Sequence, residues 1–547
     1  MRSDSKTLVG HIIEVTGADF VARLISEDEG YTPEISVGSD RIRVGQVGSY
    51  MMVEQFGYRV LAIVESMWQE DDGTGEIIRM VRMNPVGELS SGGDFYRGVA
   101  HYPVTGAELH IVTADMLTGL FSGYAEANYK VGHLSAFESI EAYIEPSSFF
   151  GRHVAILGQS GAGKSWSVTS LIQSALKSMP NAHVVLLDLA GEYGLKPGDL
   201  RSHSAFPKDK TRCIDAEDLE MPYWLLTFAE LVDLLIDADD EDAPVQIAFL
   251  RSAVLELKRE GNQHLDLGHI TVDTPLYFSL DDLVKRFKDA NESTTSFGKS
   301  KTALFGKFDQ LLVKLQSRMN DTRYDFLLRP KKRTSSDTLP SLMRDFVGLG
   351  EPRAKVTVID LSSVPYDIHH TVTSQIGRLA FEFNYWNPRC REFPLFLVCE
   401  EAHSYIPRHG SKEHEQTRRA MERIAKTGRK YGVGICVVSQ RPHELSETVL
   451  AQCSSFVCLR ISNPDDQSYV RELVPDAARG MLDALPTLAQ GEAIVVGEAV
   501  PMPIRVQIYM PDPPPNSSNI DYAGEWSHGP EEISVEDMVD RWRKQER

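Results

Sequence analysis

The stretch that decides the fold is Gly158-Gln159-Ser160-Gly161-Ala162-Gly163-Lys164-Ser165. It is a complete GxxxxGK[ST] loop. An apolar run over 153–157 precedes it and a helical pattern from about Ser165 follows, which is the strand–loop–helix context the motif requires. The glycines let the backbone close around phosphate oxygens, while loop amides and the helix N-terminus supply positive potential. Lys164 is expected on the β- and γ-phosphates and Ser165 on Mg2+, with Trp166 beside them in the first helical turn. Residues 158–166 therefore form the candidate nucleotide site. No NKxD guanine-reading motif occurs in the chain, so ATP is favoured over GTP.

Working outward, residues 153–157, 183–187, 355–359, 394–399 and 434–438 are short β-branched runs, hydrophobic throughout rather than alternating. Strands covered on both faces read this way. The five runs predict an open, parallel α/β sheet with helices between its strands. The fourth run ends in Glu400-Glu401-Ala402-His403. One carboxylate at the carboxyl end of a neighbouring strand reaches a phosphate-bound magnesium through water, and the next polarises the attacking water. Glu400 is assigned to the metal together with Ser165, and Glu401 to catalysis as general base. Two glutamates after a strand also read as a solvated strand end, and His403 fits a capping or packing role.

The fifth run ends in Ser439-Gln440-Arg441-Pro442. Gln440 is the candidate sensor of the γ-phosphate, the alternative being an ordinary strand-to-turn junction closed by Pro442. Between the two strand ends a charged helix, 413–426, runs into Thr427-Gly428-Arg429-Lys430-Tyr431-Gly432, where Gly432 stops the helix and leaves a basic cluster on a loop. An arginine projecting onto a neighbouring subunit's γ-phosphate stabilises transition-state charge. Arg429 is the candidate for that role, with Arg423 and Arg441 as alternatives and a surface ion pair as the ordinary use of all three. Asp188 and Glu192, in Asp188-Leu189-Ala190-Gly191-Glu192-Tyr193, either bracket the phosphates or cap a turn.

The flanking regions differ in character. Over 1–145, short Val-, Ile-, Met- and Tyr-rich runs such as Leu8–Val15, 35–44, 49–56 and 58–66 alternate with glycines, which predicts a small β-barrel or sandwich, with an exposed loop over 69–75. No catalytic constellation falls there, so a structural or assembly module is expected. Segments 146–214 and 349–510 carry the two parts of the α/β core, with further strands expected at 491–496 and 504–509. Segment 215–348 shows helical spacing at 228–236, 246–257 and 280–287 and reads as a helical insertion. Its stretch 299–333 holds ten Lys/Arg against three Asp, either a solvated helix face with a loop or a polyanion-facing surface. A Pro-rich linker and a short amphipathic helix close the chain over 511–547.

The 547 residues allow about three or four domains. Against 78 acidic residues stand only 57 Lys and Arg, a net charge of −21, which excludes a polybasic coat for DNA or anionic membrane but leaves room for a small basic site inside an acidic body. Six cysteines without a CxxC pair argue against a disulfide framework or structural zinc. With neither a signal-type h-region nor an apolar run approaching the ~20 residues of a membrane span, the chain is expected to be cytoplasmic.

Taken in order, these motifs resemble the HerA family of hexameric DNA translocases, in the FtsK–HerA branch of P-loop ATPases. The residues that carry the resemblance are GQSGAGKS at 158–165, DLAGEY at 188–193, CEEAHSYIP at 399–407, GRKYG at 428–432, SQRP at 439–442 and NPDDQ at 463–467. The resemblance spans nearly the whole chain. It implies a RecA-like P-loop ATPase core, an N-terminal HAS-type barrel, a hexameric ring that hydrolyses ATP with Mg2+ at subunit interfaces, and double-stranded DNA moving through a central channel. It places a trans-acting arginine at Arg429. It also implies an effector partner, a nuclease or a sirtuin-type NADase, docked on the N-terminal domain, in DNA processing or anti-phage defence. The acidic segment 237–242 departs from a purely DNA-lined surface in the insertion. Six copies of a −21 chain carry −126, so DNA requires a screened and locally basic path, for which Arg408, Lys412, Arg418 and Arg419 are the first candidates. Two other readings stand beside this one. The first is an ATP-binding hexameric scaffold that activates its effector without obligatory translocation. The second is a membrane-associated motor for protein or conjugative DNA, which the missing membrane span counts against.

Overall fold

The computed structural model describes residues 7–25, 32–37, 40–71, 77–90, 93–195, 202–215, 218, 220–294, 301–410, 414–475, 478–517, 520–528 and 534–544. The chain divides into two compact units. The first comprises residues 1–181, 401–403 and 434–515, and the second residues 182–400, 404–433 and 516–547.

In the first unit, strands Leu8–Val15, Phe20–Leu24, Tyr50–Gln55, Tyr58–Asp71, Ile77–Leu89 and Glu108–Ile111 pair in a ring, because Phe20–Leu24 bonds to Ile77–Leu89 as well as to Leu8–Val15. All pairings are antiparallel. Closure removes the unpaired edges that a six-stranded sheet would otherwise expose. Alternating inward residues, among them Val9, Phe20, Leu24, Met51, Val53, Val60, Val81, Met83 and Leu109, fill its interior. The expected loop over 69–75 begins as strand, which continues through Asp71; residues 72–76 lie outside the described residues.

Arg97 ties this barrel to the rest of its unit. Its guanidinium donates to the carbonyls of Gly497 (3.0 Å), Glu498 (3.2 Å), Pro501 (3.1 Å) and Val500. The Tyr50 hydroxyl adds a bond to the Pro503 carbonyl at 2.7 Å.

The same unit holds the P-loop strand Val154–Leu157, flanked in parallel by Val433–Ser439 and Ser455–Cys458. Beyond Ser455–Cys458 the sheet turns antiparallel through Glu492–Gly497, Ile504–Ile508, Lys130–Leu134 and Phe137–Tyr143. The last two strands fall within segment 1–145 yet pair here rather than in the barrel.

In the second unit, Leu395–Cys399, Val184–Asp188, Val356–Asp360 and Thr211–Ile214 form four parallel strands in that order. Helix His369–Tyr385 packs on helix Glu415–Thr427, and Gly377 permits the approach: a Cβ there would lie 2.7 Å from Met421 Cε. The insertion is helical, with Phe228–Leu235, Ala243–Gly261, Leu280–Asn291, Asp309–Met319 and Leu339–Phe346. Glu230 anchors it. As the third residue of a capping box, it bonds back to Thr227 N (2.8 Å), while its carboxylate accepts from Ser374 Oγ (2.6 Å) and Arg378 Nη2 (3.1 Å) on the core helix. Among the described residues no helix is long and apolar enough to cross a membrane.

Candidate nucleotide site

The P-loop leaves Val154–Leu157 at Gly158 and enters helix Lys164–Ser178 at Gly163. Two of its residues need glycine for conformation: Gly161 has φ 75° and Gly163 φ 101°. Gly158 needs it for space, since a Cβ would stand 2.9 Å from that of Leu459. Lys164 is buried, with Nζ 3.3 Å from the Gln159 carbonyl. Ser165 and Trp166 are partly exposed on the first turn.

The walls of the loop come from a segment that sequence reasoning passed over. Gln159 N donates to the Arg460 carbonyl (2.9 Å), and Ser462 N donates to Gln159 Oε1 (2.9 Å). Gly491 N closes the other side on the Ala162 carbonyl at 3.2 Å. These partners lie about 300 residues downstream and belong to no phosphate-binding motif. Only the expected strand-like runs around them pointed in their direction.

Three residues from the acidic strand end belong to the same unit. Glu401 has φ 47°, a left-handed conformation that non-glycine residues adopt rarely. Its Oε2 lies 3.4 Å from His403 Nδ1, which is itself 3.3 Å from Ser439 Oγ. Ser439 Oγ also receives Arg441 N at 3.0 Å. Burial holds the His403 pKa below the ordinary imidazole value; Glu401 and Glu444 pull it upward, and the Arg441 and Lys164 charges push it down. The unit thus brings together P-loop lysine, candidate base, His403 and the strand end that carries Gln440. Gln440 itself is partly exposed. The NPDDQ segment supports this strand end. Asn463 caps helix Pro464–Leu473, and Asp466 from its first turn accepts from His443 Nδ1 at 2.6 Å.

In the second unit, the Glu400 carboxylate accepts a short bond from the Tyr193 hydroxyl, and Tyr405 OH donates to the Glu400 carbonyl at 3.0 Å. Asp188 caps the DLAGEY turn, receiving the amides of Glu192 and Tyr193 at 2.9 Å each. Burial raises its pKa to about 6, against the lowering effect of those two amides. Of the two uses open to Asp188, the structure shows the turn cap.

The three arginine candidates differ sharply. Arg423 lies over the Phe381 ring at 4.2 Å and faces Glu382, and Arg441 pairs with Glu444 at 2.7 Å. Arg429, on the short turn Gly428–Tyr431, is exposed and makes no ion pair among the described residues. Of the DNA-channel candidates, Arg418 and Arg419 face Glu422 and Glu415 on their own helix. Arg408 is partly exposed, and Lys412 lies outside the described residues.

Four of the ten basic residues in the stretch 299–333 are paired within the second unit. Lys307 pairs with Asp242 of the acidic segment (2.7 Å), Arg323 with Asp321 (2.6 Å), Lys332 with Asp218 (2.6 Å) and Arg333 with Asp345 (2.8 Å). The acidic and basic segments therefore answer one another through Lys307.

Comparison with known proteins adds the following. The family described as "Helicase HerA, central domain" matches residues 129–380, and "Helicase HerA-like C-terminal" matches residues 395–524. A probable helicase of Methanocaldococcus jannaschii is 25% identical over 492 residues, 85% of this chain and 86% of its own. The DNA double-strand break repair helicase HerA of Pyrococcus furiosus is 27% identical, covering 81% of this chain and 79% of that one. The corresponding protein of Saccharolobus solfataricus is 26% identical, covering 78% and 76%. Among solved structures, VirB4 of Thermoanaerobacter pseudethanolicus is 16% identical with TM-score 0.43, covering 70% of this chain and 96% of that one. The plasmid coupling protein TrwB bound to an ATP analogue is 15% identical with TM-score 0.41, covering 73% and 93%.

Proposed function

The chain belongs to the HerA helicase family, and from that premise we propose that it is a ring-forming motor that hydrolyses ATP to move double-stranded DNA. The observation that carries the reading is the cluster in one compact unit of Lys164, Glu401, His403 and the Ser439–Arg441 strand end.

In this reading, residues 158–166 hold the nucleotide, with loop amides and Lys164 on the phosphates. Glu401 accepts a proton from the attacking water as its oxygen bonds to the γ-phosphorus and the bond to the ADP oxygen breaks. Gln440 reports the γ-phosphate. Arg429, exposed and without an ion pair among the described residues, reaches the γ-phosphate of the neighbouring subunit. Ser165 and Glu400, hard oxygen donors, would be the residues to hold Mg2+, which would neutralise phosphate charge.

Double-stranded DNA is the proposed substrate, along a channel bearing Arg408, Lys412, Arg418 and Arg419. A hexamer in the cytoplasm is the proposed assembly. The effector, a nuclease or sirtuin-type NADase serving DNA processing or anti-phage defence, is proposed to dock on the barrel. Exposed aromatic side chains there support the docking: Phe56 is 89% and Tyr96 60% exposed. The test measures ATPase rate with and without duplex DNA, on rings sized by native mass. Rings whose turnover rises with DNA fit a motor. Turnover indifferent to DNA, with effector activation needing only bound ATP, fits the scaffold reading. Monomers under ATP sink both.

A further inference from the structure

The strand Ser455–Cys458 lies beside the P-loop strand and continues into Leu459-Arg460-Ile461-Ser462. This segment forms the wall of the loop. Leu459 N donates to the Leu157 carbonyl (2.8 Å), the Arg460 carbonyl receives Gln159 N (2.9 Å), and Ser462 N holds Gln159 Oε1 (2.9 Å). Arg460 is therefore fixed by its own backbone to the second residue of the phosphate loop.

Its side chain is the anomaly. Arg460 Nε is buried with no hydrogen-bond partner, and the guanidinium makes no ion pair among the described residues. The residue as a whole is only partly buried, but a guanidinium carries its charge at any working pH, and the buried part of it is costly to leave without a partner. Other arginines of the chain have resolved this. Arg378 pairs with Glu230, and Arg505 with Glu492. Arg471, whose Nε is also unpaired, reaches Asp483 through Nη2 at 2.7 Å. Two buried carboxylates of the same unit are engaged elsewhere: Asp466 by His443 and Glu492 by Arg505. The anion that the P-loop is built to bring to this place is a nucleotide phosphate.

We propose that Arg460 is a further nucleotide-binding residue, whose guanidinium pairs with a phosphate oxygen of the nucleotide held by residues 158–165. The inference rests on the nucleotide-site reading above and extends it with a charge that comes from outside the motif. Arg460 gives up an internal counter-ion in the empty state and gains one on binding. The loop thereby couples occupancy to the order of the 459–463 segment, and through Asp466 to the sensor-side His443.

The test uses the full chain as wild type, Arg460→Met, Arg460→Lys and Lys164→Ala. It measures affinity for ATP and for inorganic tripolyphosphate, together with the nucleotide-free melting temperature. Arg460→Met should weaken both ligands roughly 10- to 100-fold, as expected for a lost charge-assisted bond. Its nucleotide-free melting temperature should equal or exceed that of the wild type, because an unpaired charge has been removed. Arg460→Lys keeps the charge and should lose less. Unchanged affinity for both ligands overturns the inference, as does weakened ATP with unchanged tripolyphosphate, which would place the contact on ribose or base. A lower nucleotide-free melting temperature with unchanged affinity makes Arg460 structural and also overturns it. A wild type that binds ATP no better than Lys164→Ala overturns the nucleotide-site reading itself.

Discussion

His403 Nδ1 stands 3.4 Å from Glu401 Oε2 and 3.3 Å from Ser439 Oγ, so one imidazole nitrogen bridges the candidate base and the end of strand Val433–Ser439. Glu401 pays for its place with a left-handed backbone (φ 47°), a conformation that costs about 1–2 kcal/mol outside glycine. Burial keeps His403 below its ordinary pKa, and therefore neutral near pH 7, so it contributes direction rather than charge.

Glu401→Gln keeps the shape of the side chain and removes the base. ATP affinity should stay within about twofold, while hydrolysis falls by 10²–10⁴, the usual worth of a positioned general base. Equilibrium binding and single-turnover rates check this together; normal hydrolysis would move the base to another residue.

His403→Ala removes the bridge without touching the nucleotide. The kcat should drop about tenfold with KM for ATP nearly unchanged, the pattern of a residue that positions the base for the transition state. A raised KM at constant kcat would instead put His403 in ground-state binding. His403→Gln, which keeps a donor in the same region, should recover part of the rate.

Arg429→Ala and Lys164→Ala each should abolish turnover in uniform rings. Mixed rings contain interfaces where an intact P-loop meets an intact arginine, so mixing should restore partial ATPase activity. Mixtures as inactive as either parent would make Arg429 act within its own subunit.

Stability should fall on acidification through His183. Burial against Phe393, with their rings stacked 4.0 Å apart, and the Lys355 charge lower its pKa from 6.5 to about 4. The folded value lies below the unfolded one, so between pH 6.5 and 4 the unfolded chain takes up a proton that the folded chain refuses. His183→Gln removes that linkage. Its melting temperature should decline less between pH 7 and 4.5 than that of the wild type, and parallel declines would refute the assignment.

Glu230→Ala takes from Arg378, only 12% exposed, its nearer carboxylate, leaving Glu382 at 3.8 Å, and costs the helix its capping box. A cost of about 3–5 kcal/mol is expected from breaking a buried pair, read by denaturant unfolding.

The core strands were legible because Val154–Leu157, Val184–Asp188 and Leu395–Cys399 are buried along their length and the chain writes them as unbroken apolar runs. Thr211–Ile214 was not legible: an edge strand with an arginine and an exposed cysteine carries no such run. Lys130–Leu134 and Phe137–Tyr143 read as barrel because alternation marks any half-exposed strand, whichever sheet takes it. In the site, the P-loop announces itself locally. The Tyr193–Glu400 bond spans 207 residues and the hold of Ser462 on Gln159 spans 303, and no local pattern encodes a partner so far away.

Arg97 grips four carbonyls in the turn that follows Glu492–Gly497, two strands over from the P-loop strand. A closed barrel cannot yield by shedding an edge strand, so it behaves as a stiff lever. From that grip to the phosphate loop the path is short and bonded throughout: Glu492–Gly497 pairs with Ser455–Cys458, and Arg460 just beyond it holds Gln159.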